Sequence, residues 1–299
     1  MAGSVNAVSV LNAEVASEMF PEADISPITN GVHHPTWISP TMARLYDEEL
    51  EGWRSNGDLL LKAGSLSETG LERARSESRA VLRELVSSMT GVNFDGNRLT
   101  IGFARRFATY KRASLVFRDI SRLNQIGSGQ IQFVFSGKAH PKDEGGKALI
   151  KEIFDASKRL EDIPVAFLED YSMATGLAMT SGVDVWLNTP VRPMEASGTS
   201  GMKAVMNGVP NLSILDGWWP EACNHGVNGW GIGNKEDSRD DDRDANALYD
   251  LLRDEVLPAW KSSRDRWLSM MRAAIVAGSA FTGQRMIREY RDIYEKFGI

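Results

Sequence analysis

From Leu99 onward the chain changes rhythm. Short apolar runs alternate with helix-length segments, and this alternation narrows the accessible folds more than any other feature. The runs are Leu99–Ala104, Ile131–Phe135, Val165–Leu168, Val183–Leu187 and Asn211–Leu215. Helical segments are read between them at about 111–123, 142–159, 172–181 and 201–207. The runs lack strong apolar–polar alternation, as strands do when helices cover both faces of their sheet. A βαβαβαβαβ order therefore predicts an α/β fold built on a doubly wound parallel sheet. Such sheets bind ligands beyond the carboxyl ends of their strands. That rule directs attention to 105–111, 136–140, 169–171, 188–203 and 216–225.

The flanking sequence is helical. Spacing over Val5–Met19 puts Val8, Leu11, Val15 and Met19 on one helix face. Residues 25–37 read as extended, with a turn at Asn30-Gly31. Ser39 and Pro40 open a short helix toward Leu50, and Ser67 caps a long amphipathic helix to Met89. Beyond the alternating region, 236–244 is a hydrophilic run that reads as a solvated loop. Helices are expected at 245–260, 264–277 and 282–297. The resulting division is a helical connector over 1–98, a sheet-bearing core over 99–234 and C-terminal helices over 235–299. At 299 residues the chain is long enough for one large or two modest domains.

Composition excludes several classes. A net charge of −6 gives no general attraction to nucleic acid or an anionic membrane, so any phosphate must be met by local basic residues. No apolar run is long enough to span a bilayer, and no signal peptide is read in the acidic first 25 residues. The single cysteine, Cys223, forms no internal disulfide, which fits a reducing cytoplasm. The four histidines, His33, His34, His140 and His225, lack metal-ligand spacing, so no metal site is expected.

Three segments carry chemistry. In Val191–Met206 a Pro-marked loop leads through Ser197-Gly198-Thr199-Ser200-Gly201 into a helix start, where free backbone N–H groups face any anion. Lys203 lies in that first turn, where a cation is unfavourable without a compensating anion. It would hold a phosphate, carry an aldehyde as a Schiff base, or stand solvated on an ordinary connection. Arg105-Arg106-Phe-Ala-Thr-Tyr110-Lys111-Arg112 follows a strand, with Arg106 and Lys111 spaced to fold around one dianion or to form a basic solvent face. Glu195 would accept a sugar hydroxyl or simply favour a helix start. Asp216-Gly-Trp-Trp-Pro-Glu221 offers two indoles, for stacking on a carbohydrate or for filling a domain edge. Lys138 and His140 form another short polar loop, for a ligand or a cap.

Taken together, Glu195-Ala-Ser-Gly-Thr-Ser-Gly-Met-Lys203, Arg105-Arg-Phe-Ala-Thr-Tyr-Lys-Arg112 and Thr29-Asn-Gly-Val-His-His-Pro-Thr-Trp37 resemble the α-glucan phosphorylases, in that family's order. The likeness is to the shorter bacterial and archaeal type, and runs from about Val5 to the C-terminal helices. It implies a Rossmann-like domain, the C-terminal lobe of a GT-B glycosyltransferase, and a pyridoxal 5′-phosphate cofactor. The implied reaction is phosphorolysis of an α-1,4-glucan by inorganic phosphate to glucose 1-phosphate. By resemblance, Lys203 is the Schiff-base lysine. Gly198 and Thr199 cradle the cofactor phosphate beside Arg105, and Trp37 and Tyr171 line the cofactor. Arg106 and Lys111 hold the substrate phosphate. Glu195, Ser197, Gly198 and Asn30 contact glucose hydroxyls, with Tyr110 near the sugar.

The implied mechanism uses the cofactor phosphate as proton partner of the substrate phosphate, whose second pKa near 6 suits a relay at neutral pH. Two departures accompany the likeness. Val10 and Asn12 stand where a basic residue and a histidine are expected in the first helix block. The N-terminal lobe that would face this one is missing, so the chain by itself is expected to be inactive or weakly active. Two other readings remain: a non-catalytic domain binding glycan or a partner, and a sugar-nucleotide-dependent GT-B transferase. Assembly into a homo-oligomer is left open.

Overall fold

The computed structural model describes residues 4–234, 239–262 and 264–296. The expected alternation is present, and the sheet has one more strand than expected. Strands β1 (Val5–Ala7) and β2 (Ile25–Pro27) form a small parallel pair near the N-terminus. A six-stranded sheet follows, made of β3 (Leu99–Ala104), β4 (Ile131–Ser136), β5 (Val165–Leu168), β6 (Val185–Asn188), β7 (Asn211–Ile214) and β8 (Gly229–Ile232). Its spatial order is β5-β4-β3-β6-β7-β8 with every pairing parallel. Chain order thus reverses direction between β3 and β6, the topological switch point at which open α/β sheets open a crevice.

Both faces of this sheet are buried. Ile101, Phe103, Phe133, Phe135, Val185 and Leu187 belong to one apolar cluster. Ala104, Val134, Ala166, Leu168 and Trp186 belong to a second, with Leu82, Val86 and Met179 from covering helices. Successive residues point to opposite faces, yet both faces need apolar side chains, which is why the sequence shows no alternation. The Glu68–Thr90 helix packs against the Met173–Gly182 and Pro40–Glu49 helices. Ser67 caps the first of these by accepting from Gly70 N, and Gly91 ends it in the left-handed region.

Four expectations need correction. Residues 25–37 are not extended throughout: β2 ends at Pro27, and His34–Trp37 form a helical turn with Pro35 at its start. Val5 is in a strand, not a helix: the first helix is Val10–Met19, capped by Ser9, and buries Leu11 and Ala13 while Met19 is exposed. Residues 111–123 do not form one helix. Short 3-10 turns at Thr109–Lys111 and Leu115–Phe117 precede a helix over Ile120–Gly127, because Arg112 takes a φ of +46° and breaks the run. The hydrophilic stretch 236–244 lies partly outside the described residues; within it, Asp240 caps a helix over Asp241–Leu251. The later C-terminal helices are Leu257–Ser262, Arg264–Gly278 and Gly283–Lys296.

Candidate active site

At the carboxyl end of β3 the chain must turn without a helix. Arg105 N donates to Ser136 O at 3.2 Å and Phe107 N to Lys138 O at 3.0 Å, so the loops after β3 and β4 run side by side. Their approach leaves no room for a side chain at Gly137, where a Cβ would lie 1.9 Å from Arg105 O. The Thr109–Lys111 turn then carries Lys111 inward, while Arg112 turns away. Its guanidinium donates to Thr189 O and Pro190 O and pairs with Asp241 and Asp244. Of the four cations in this motif, three are therefore delivered to the crevice and one is spent on structure.

Across the switch point, β6 runs into the loop that carries Glu195. Arg105 bridges the two sides, donating to Asn188 Oδ1 at 2.6 Å and pairing with Glu195 Oε2. Lys111 Nζ pairs with that same oxygen. Among the described residues no donor reaches Glu195 Oε1. Burial pushes the Lys111 amine down to about 8, helped by Arg105 and opposed by Glu195. Burial alone would raise the Glu195 carboxyl, but Arg105 and Lys111 outweigh it and hold it below the usual carboxylate range. Burial also raises the Tyr110 phenol, with Glu195 adding to the effect.

Gly198, at φ +81°, ends the loop and starts the Thr199–Val205 helix. Lys203 projects from its first turns, half-buried, with Nζ 3.3 Å from the centroid of the Trp37 ring. Among the described residues no carboxylate pairs with it. Desolvation lowers its pKa to about 8. These groups share one open cleft of about 480 Å³, lined by Ala104, Arg105, Arg106, Lys111, Gly137, Lys138, Tyr171, Glu195, Gly198, Thr199, Ser200 and Lys203. Five cations face one carboxylate there, in a chain whose net charge is −6. Such a cleft suits anions, and more than a single charge of them.

A scan of family models matches residues 5–224 to the carbohydrate phosphorylases. The chain belongs to the carbohydrate phosphorylase family. It is 40% identical to a maltodextrin phosphorylase of Thermococcus litoralis over 96% of its length, which is 39% of that relative's. It is 40% identical to a glycogen phosphorylase of Aquifex aeolicus over 97% of its length, 47% of that relative's. A glycogen phosphorylase of Mycobacterium tuberculosis is 38% identical over 98% of the chain and 39% of the relative. The chain thus spans less than half the length of these curated relatives.

Within this phosphorylase lobe, the sequence-predicted residues Arg105, Arg106, Lys111, Tyr171, Glu195, Gly198, Thr199 and Lys203 come together in the cleft lining. Trp37 joins them through Lys203, and Tyr110 through the Lys111 amine, 4.4 Å from its ring centroid. Ser197 is buried beside Glu195, and among the described residues its hydroxyl has no partner. Asn30 is not among the lining residues: its carbonyl accepts from Arg285 at 3.1 Å, against the C-terminal helix. Lys138, which the sequence offers equally as a cap, lines the cleft and reaches Asp170 at 3.5 Å. His140 closes a local turn, its Nδ1 accepting from Lys142 N, while Asp143 caps the helix that follows. Trp218 and Trp219 are each only 1% exposed and fill the core rather than offering a stacking surface. His34 is likewise a core residue, bonded to Trp53 O. Among the described residues no group of side chains is arranged to hold a metal ion, and no helix is long and apolar enough to cross a membrane.

Proposed function

We propose that this chain is the cofactor- and phosphate-binding lobe of an α-1,4-glucan phosphorylase, which transfers a terminal glucosyl unit to inorganic phosphate and yields glucose 1-phosphate. The observation that carries this reading is the composition of the cleft. A half-buried lysine with no counter-ion among the described residues shares it with four further cations and one buried carboxylate. That donor set fits pyridoxal 5′-phosphate, an aldehyde bearing a phosphate. The Lys203 amine would hold the aldehyde, with Trp37 and Tyr171 beside it. Gly198, Thr199 and Arg105 would hold its phosphate. When bound, the cofactor supplies that phosphate as a proton partner for the substrate phosphate.

The chain's own residues then have separable tasks. Arg106, exposed and without a hydrogen bond or ion pair to any described residue, and Lys111 hold the substrate phosphate, which lets two anions approach. Glu195 keeps Oε2 on Arg105 and Lys111 and offers Oε1 to a glucose hydroxyl. Ser197, whose hydroxyl has no partner among the described residues, and Gly198 border the same sugar, with Tyr110 close to it. The full reaction also needs an opposing lobe that completes the glucan site. The family assignment favours this reading over a sugar-nucleotide-dependent transferase.

Mixing the purified chain with pyridoxal phosphate tests it. A Schiff-base absorbance in the violet should appear, and borohydride should fix one adduct, mapped by mass spectrometry to Lys203. An adduct on another lysine, or none in folded protein, overturns the assignment.

A further inference from the structure

The Asp216-Gly-Trp-Trp-Pro-Glu221 motif has no part in the cleft lining, yet its polar groups converge on the loop that carries Glu195. Glu195 N donates to Asp216 Oδ2 at 2.9 Å, and Gly217 N donates to Asp216 Oδ1 at 2.8 Å. Trp218 N donates to Ser197 O at 2.9 Å. The two turns are so close that a Cβ at Gly217 would sit 2.2 Å from Ser197 O, and Gly217 has a φ of +58°. A third contact comes from the opposite end of the sequence: Ser9 Oγ donates to Ala196 O at 2.7 Å. Ser9 is fully buried and fixed as a helix cap, and that helix is tied back to the motif by Val10 N on Glu221 Oε1 at 3.0 Å.

Each residue from Glu195 to Ser197 therefore has one main-chain group held by a buried partner. We infer that Asp216 is a positioning residue, which fixes the Glu195 backbone so that its carboxylate stays on Arg105 and Lys111 with one oxygen presented to the sugar. The inference rests on the reading of Glu195 as a contact to a glucose hydroxyl. Asp216 is 2% exposed and touches no cleft cation, so it acts through the Glu195 amide and not on a ligand. Ser9 supports the same loop from the other side. An amide at position 216 cannot accept both N–H groups: one of its two polar atoms is a donor and would face a donor.

Calorimetry with two ligands, inorganic phosphate and glucose 1-phosphate, separates positioning from general structure. Phosphate alone needs Arg106 and Lys111; the sugar phosphate also needs Glu195. Asp216→Asn should weaken glucose 1-phosphate by about tenfold and leave inorganic phosphate within about twofold, the loss expected for one hydrogen bond to a charged group. Glu195→Gln should also weaken glucose 1-phosphate relative to inorganic phosphate, with phosphate itself somewhat tighter because Lys111 loses its carboxylate partner. Ser9→Ala, a smaller change that keeps the motif intact, should show the Asp216→Asn split more weakly, and covers the case in which the Asp216 variant does not fold. Equal losses for both ligands in the Asp216 and Ser9 variants, alongside a split for Glu195→Gln, overturn the positioning role and leave the sugar contact standing. No split for Glu195→Gln overturns both readings together.

Discussion

Lys203 and Lys111 are the residues whose protonation the cleft alters most, and for different reasons. Lys203 is desolvated against Trp37 with no carboxylate partner among the described residues, while Lys111 is buried beside Arg105 and bonded to Glu195. Both amines fall to about 8 in the folded chain, below the roughly 10.4 of a free lysine. Between those values the unfolded chain binds more protons, so the contribution of these groups to stability rises with pH through that window and is least favourable below it. The neutral amine is the form that condenses with an aldehyde. Borohydride-trapped pyridoxal phosphate at Lys203 should therefore climb with pH to a midpoint near 8, while surface lysines gain adduct only at much higher pH. A yield at Lys203 that tracks the surface lysines would contradict the desolvated state. Arg105→Met tests the other side of the cleft. It leaves Glu195 buried with Lys111 alone and frees Asn188, and should cost about 3 kcal/mol in urea unfolding, the low end for breaking a buried ion pair. An unchanged midpoint would mean that Lys111 alone compensates the carboxylate. Most of this site was legible from residue type and spacing, because cations after a strand and a lysine at a glycine-led helix start are local signals. Asp216 lies in a motif that stands out in the sequence, but neither its role nor that of Ser9 was legible. Their role is a main-chain contact across 21 residues in one case and 187 in the other, which no spacing rule reports.

The loops after β3 and β4 place Arg105, Arg106 and Lys138 only because glycine stands at the crossing. Gly137 has a φ of +147°, and a Cβ there would meet Arg105 O at 1.9 Å, so backbone must move. Gly226, with a φ of +74°, has open space around the same position. Gly226→Ala should cost about 1 kcal/mol, the left-handed penalty alone. Gly137→Ala should cost more than about 3 kcal/mol and also weaken phosphate binding, since strain and displacement add. Equal unfolding midpoints for the two variants would show that the loops are not held so closely. Elements with a local cause were readable at this scale: Ser67, Ser39 and Ser172 each accept a backbone N–H from their helix. Others have their cause elsewhere. Strand β8 reads Gly-Trp-Gly-Ile, too glycine-rich to announce itself, and forms because β7 offers it an edge and Trp230 is fully buried there. The break at Arg112 follows from the buried carbonyls and carboxylates its guanidinium must reach, which tertiary structure alone supplies.

At the scale of the whole molecule the cleft lies open to solvent. Arg106 and Lys138 line it yet are exposed, so a bound phosphate would be shielded from water on one side only. Charge stabilisation of the kind glycosyl transfer needs is strong where water is excluded and weak where it is not. Two large apolar side chains also face solvent: Met173, at the start of the helix after β5, and Met194, on the loop after β6, are 62% and 57% exposed. The curated relatives are more than twice as long as the stretch they share with this chain. These features predict that the chain alone takes up pyridoxal phosphate but releases little phosphate from glucose 1-phosphate and maltodextrin. Supplying, as a separate polypeptide, the segment that precedes the matched region in such a relative should raise that release by at least about a hundredfold, the scale of proper orientation of two reactants. The increase should vanish with Lys203→Ala and persist with a surface change such as Lys151→Ala. Full turnover by the chain alone would mean that this lobe binds and orients the glucan without an opposing surface. No turnover with the added segment, despite cofactor on Lys203, would leave a domain that keeps the cofactor without the reaction.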